Sequence, residues 1–71
     1  MRAEVILTTW KNGELVEEVV GYTNVTQYTN YRELVDALGK KQFGPDHRVR
    51  IDSSLFGYVA ANGNGDTVHI R

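Results

Sequence analysis

Asn12-Gly13 lies between two runs rich in β-branched residues, Glu4-Val5-Ile6-Leu7-Thr8-Thr9-Trp10-Lys11 and Glu14-Leu15-Val16-Glu17-Glu18-Val19-Val20. Both central residues of a type I′ turn need φ > 0, which Asn and Gly tolerate, so the pair predicts a two-residue β-hairpin. Such a loop sets Lys11 opposite Glu14, Trp10 opposite Leu15, Thr9 opposite Val16, Ile6 opposite Val19 and Val5 opposite Val20. One face then holds Val5, Leu7, Thr9, Val16, Val20 and Tyr22, with Glu18 intruding opposite Leu7. The other holds Ile6, Trp10, Leu15 and Val19, with Glu4, Thr8 and Glu17. Alternation ordinarily sends one face to the core and the other to water; here both are apolar.

A helix follows a polar segment, 23–29. Asn30 is positioned as N-cap with Glu33 three residues on, a capping-box-like spacing. Tyr31, Leu34, Val35 and Leu38 recur at i, i+3, i+4 and i+7, one apolar stripe. Gly39 caps this helix, or it runs on to about Gln42 before Gly44-Pro45 stops it. Lys40 and Lys41 suit the negative end of its dipole. Beyond it, 47–52 alternates with Val49 and Ile51 inward and Arg48 and Arg50 outward. Residues 55–61 read as a strand, with Ser53-Ser54 a turn or bulge, so that 52–58 is one bent strand or two. Residues 62–66 form a turn, and 67–71 a last strand. The expected fold class is α+β: a single domain, 1–71, with one helix on a four- to five-stranded antiparallel sheet in the order ββαββ(β).

The chain has 71 residues and no cysteine, so apolar packing alone must hold it, without disulfide or thiolate–metal support. The start carries no basic region ahead of an apolar stretch, and no run reaches membrane-spanning length. A cytoplasmic location is the expectation, and the sequon at Asn24-Val25-Thr26 is then coincidental. The net charge of −1 conceals an asymmetry: 1–36 carries −3 and 37–71 carries +2.

One helix covers one face of a sheet. Either Trp10 and Leu15 lie beneath it, or they stay outside with Ile6 and Val19 as a partner-binding patch, to which the loop residue Tyr28 adds an amphipathic ring. Tyr22 and Tyr31 are expected to border the core. Arg48, Arg50, Arg71, His47 and His69 on one exposed sheet face, joined by Lys40 and Lys41 and with Tyr58 or Phe56 interleaved, form the alternative, a nucleic-acid contact in which cations meet phosphate and rings stack on bases. His47 beside Asp46, with Ser53 and Ser54 near, has the residue types of a triad but neither a pocket nor oxyanion donors in view. Residues 62–66 lack the acidic ligands of a calcium loop. No cofactor or metal motif is present, and an enzyme is not expected.

From the helix through Phe43-Gly44, Val49-Arg50-Ile51, Gly57-Tyr58-Val59-Ala60-Ala61 and Asn62-Gly63 to Val68-His69-Ile70, the chain resembles small phage-encoded anti-CRISPR proteins, in which a helix packs on an antiparallel sheet. The likeness covers about half the chain and lies in element order and strand spacing. The first half resembles the ββαββ order of immunoglobulin-binding β-grasp domains. Membership of the anti-CRISPR group implies a non-enzymatic inhibitor that blocks a larger nucleic-acid-handling complex. No motif aligns residue by residue, so no site residue is carried over. The expected function is that of a small protein-binding domain of phage or mobile-element type, covering a site on a larger host protein. Homodimerisation through the same patch or an edge strand is the nearest variant.

Overall fold

The computed structural model describes residues 1–52 and 57–71. The elements run β1 (Arg2–Lys11), β2 (Glu14–Asn24), α1 (Tyr31–Phe43), β3 (Arg48–Ile51), β4 (Tyr58–Ala61) and β5 (Thr67–Ile70). The strands form one sheet in the order β2-β1-β5-β4-β3, antiparallel throughout. This is the α+β arrangement expected, with the fifth strand present. The expected Ser53-Ser54 turn and the start of the 55–61 strand fall on 53–56, outside the described residues.

Asn12 and Gly13 both have positive φ, 53° and 80°, and close β1 onto β2 as expected. The register holds from Lys11–Glu14 to Ile6–Val19 and then shifts, because Val5 faces Gly21 rather than Val20. Val20 is the extra residue of a β-bulge. The bulge reverses the parity of the rest of β2, so Tyr22 faces Glu4 and shares its side of the sheet, away from Val5.

Asn30 caps α1, its Oδ1 accepting from the Glu33 amide at 3.2 Å. The helix passes through Gly39 and ends at Phe43, where the Gly44 amide donates to the Lys40 carbonyl. Gly39 has a different task from the capping role considered for it. A Cβ there would lie 2.4 Å from the Ala60 Cβ and 2.9 Å from the His47 ring, so the missing side chain is what lets α1 settle on β4. The stripe of Tyr31, Leu34, Val35 and Leu38 packs with Ala3, Val25, Val49, Tyr58, Ala60 and Ile70. Val25, sited in what reads as a polar loop, is fully buried, and its amide donates to the Met1 carbonyl. Ile51, expected inward, is exposed at the end of the edge strand β3.

The helix packs on β3, β4 and β5, towards one side of the sheet. β2 is therefore the part of the sheet that α1 covers least, and β5 pairs with β1 only from Val5 to Thr8. The tip of the hairpin extends past both, which fits the long axis of 38 Å against 22 and 21 Å.

Candidate functional site: the open face of the hairpin

Residues directly opposite one another in an antiparallel sheet point to the same side, so the register assigns the faces. Val5, Val68, Ala60 and Val49 lie on the helix side. Ile6, Thr8 and Trp10 of β1 share the other side with Leu15, Glu17, Val19 and Tyr22 of β2, Thr67 and His69 of β5, and Arg48 and Arg50 of β3. Among the described residues no helix covers this open face. Trp10 and Tyr22 are each 58 % exposed, Leu15 56 % and Val19 44 %. Trp10 and Leu15 are directly opposite one another, whereas the ion-paired Glu17 separates them from Val19 and Tyr22 along β2. The alternative in which Trp10 and Leu15 lie under the helix is therefore excluded. Gly65 lies beside the indole, where an added Cβ would come within 3.5 Å of Trp10 Cδ1. Gly65 belongs to the 62–66 turn, where Asn62 Oδ1 accepts from the Asn64 and Asp66 amides at 2.9 and 3.0 Å.

Two members of the expected patch are placed otherwise. Ile6 is only 1 % exposed and cannot contact a partner. Arg71 pairs with Glu4 through the backbone and Glu17 faces Thr8, so the Arg71–Glu17 ion pair (2.5 Å) crosses β1 over Ile6. Tyr28 is exposed, but it follows the far end of β2, about 30 Å of strand from Leu15. Tyr22 shares this face, roughly 20 Å along β2 from Leu15. Sequence reasoning assigned Tyr22 to the core face, and only the bulge, invisible in a Val-Val pair that suits either side, changes that. The Arg2 guanidinium stacks over its ring at 4.5 Å.

Beside the patch is a shallow concavity of about 230 Å³ whose lining includes Thr8, Glu17, Arg50, His69 and Arg71. Its charges oppose one another. Arg71 holds the Glu17 carboxyl below its ordinary range by hydrogen bonding, and Arg50 lies 4.0 Å from Asp52. His69 is 7 % exposed, and its Nε2 has no hydrogen-bond partner among the described residues. Burial, aided by the charge of Arg71, lowers its pKa and keeps the ring neutral at pH 7.

Of the cations of the nucleic-acid alternative, Arg50 and Arg71 line the same concavity with His69, but the lysines do not join them. Lys40 and Lys41 lie on the helix layer, whereas Arg48 and Arg50 project from the open face of the sheet. Nor does His47 meet Asp46. Its Nε2 lies 2.6 Å from Asp36 Oδ1 and its Nδ1 2.9 Å from the Gly44 carbonyl. Both neighbours are acceptors, so the ring is best served with both nitrogens protonated, and its pKa is raised, first by Asp36 and then by Gly44. These two contacts pin α1 to the start of β3. Among the described residues no three His, Asp or Glu side chains converge as metal ligands, and no helix is long and apolar enough to cross a membrane. Comparison with known protein families, curated proteins and solved structures gives no match.

Proposed function

We propose that this chain is a small non-catalytic binding protein that docks on a larger protein through the open face of its β1–β2 hairpin. The observation that carries this reading is the exposure of the cross-strand pair Trp10 and Leu15, with Val19 and Tyr22 further along β2, on a face that no other element among the described residues covers. Trp and Tyr are the residues most enriched at the energetic centres of interfaces. Here they stand on a strand pair whose turn and register fix them, so little order is lost on binding. Glu17, Arg71 and Arg50 provide a charged rim that sets orientation. The element order shared with small phage-encoded inhibitors supports an inhibitory role, in which the patch occludes a working surface of a host protein or complex.

The test is capture from host extract with the wild-type chain and with Trp10→Ala, after circular dichroism shows both folded. The reading expects a specific protein retained by the wild type, lost with the variant, and little affected by moderate salt. Capture unchanged by Trp10→Ala overturns it. Retention that falls steeply with salt and depends on Arg48 and Arg50 would instead favour nucleic-acid binding.

A further inference from the structure

Among the described residues β2 is the outer strand of the sheet and pairs only with β1. With a two-residue turn, Lys11 and Glu14 exchange the hydrogen bonds that close the hairpin. The alternation of the ladder then turns the N–H and C=O groups of Leu15, Glu17 and Val19 away from β1. Edges of this length are ordinarily blunted by Lys, Pro or a bulge. β2 has neither Lys nor Pro, and its bulge at Val20 lies beyond these three residues. Its charge is of one sign: Glu14, Glu17 and Glu18, with no Lys or Arg between Lys11 and Arg32. Leu15, Val16 and Val19 alternate with these carboxylates and are exposed.

We infer that the free edge of β2 receives an extended basic segment of the partner protein, which joins the sheet as a sixth strand. Main-chain hydrogen bonds to Leu15, Glu17 and Val19 supply the docking, and Lys or Arg side chains set against Glu14 and Glu18 supply the selection. The inference rests on the hairpin being the docking element and adds how the partner binds and what it carries. A second β2 does not answer the description, since it contains no cation to oppose any of the glutamates. The edge strand β3 of another copy carries Arg48 and Arg50 but spans four residues, and its Arg50 is already beside Asp52.

The experiment follows amide exchange and chemical shifts of the labelled full chain. The probe is a capped peptide of about eight residues alternating lysine and valine; the controls are its glutamate counterpart and a fully N-methylated version. The lysine peptide should slow exchange at the Leu15, Glu17 and Val19 amides, and neither control should. Glu14→Gln combined with Glu18→Gln should weaken binding about tenfold. Val19→Pro, which removes an outward N–H while leaving the ladder to β1 intact, should do the same. No binding, or equal binding of the N-methylated peptide, overturns the inference. So does protection of these amides that grows with the concentration of the chain alone, which assigns the edge to a second copy. Shifts confined to the Trp10 indole and Leu15 methyls overturn the edge while leaving the open-face reading intact. Loss of that reading shows instead as capture insensitive to Trp10→Ala.

Discussion

The two histidines have opposite linkage to folding. His47 is offered acceptors at both ring nitrogens and has a raised pKa, so its contribution is fully present below the unfolded value near 6.5 and disappears as pH rises through the folded value. His69 is buried with Nε2 unpartnered and has a lowered pKa, so its environment favours folding above that value and works against it as pH falls. Thermal unfolding across pH should therefore show stability declining on both sides of a maximum. His47→Gln should flatten the alkaline limb and His69→Gln the acid limb. An acid limb unaltered by His69→Gln would show that the buried imidazole plays no part in it.

At the scale of elements, the seating of α1 depends on Gly39. Its Cβ position overlaps Ala60 by far more than side-chain adjustment absorbs, because the obstructing atom is a short, buried methyl group. Gly39→Ala ordinarily favours a helix by about 1 kcal/mol. Here overpacking should reverse the sign, with a net loss of about 1–3 kcal/mol in chemical denaturation. Ala60→Gly in the same chain should recover part of that loss. Most of these elements are legible in the sequence because their determinants are local. Asn12-Gly13 sets its own turn, Asn30 its own cap, and the Tyr31, Leu34, Val35 and Leu38 stripe its own face. What the sequence conceals is decided by tertiary contact. Gly39 reads as a stop until β4 is seen against it, Val25 reads as loop until the core closes over it, and the bulge at Val20 falls in a Val-Val pair that suits either face.

Taken as a whole, the molecule separates side chains that hold it together from those it displays. Ile6 and Leu15 sit on the same face, yet the first is enclosed and the second is open. Ile6→Ala should cost about 2–4 kcal/mol of stability in denaturant titrations, and Leu15→Ala less than about 1 kcal/mol. Comparable losses would mean that the hairpin tip is packed in solution, by a lid or by self-association. The expectation that one helix leaves one apolar face bare holds, although its extent was foreseen only in part. Trp10, Leu15 and Val19 are where alternation places them, whereas Ile6 is closed by an ion pair between residues 54 positions apart in the chain, which no local pattern reveals.

Asn12-Gly13, which shapes the hairpin, also gives it a clock. With no side chain at Gly13 to hinder it, the glycine nitrogen can attack the neighbouring carboxamide, expel ammonia and form a succinimide that reopens largely as isoaspartate. A backbone lengthened by one methylene no longer fits a loop of two residues, and Trp10 and Leu15 stand directly beside it. Asn62-Gly63 and Asn64-Gly65 carry the same chemistry in the 62–66 turn, but at Asn12-Gly13 it acts on the loop that presents the exposed pair Trp10 and Leu15.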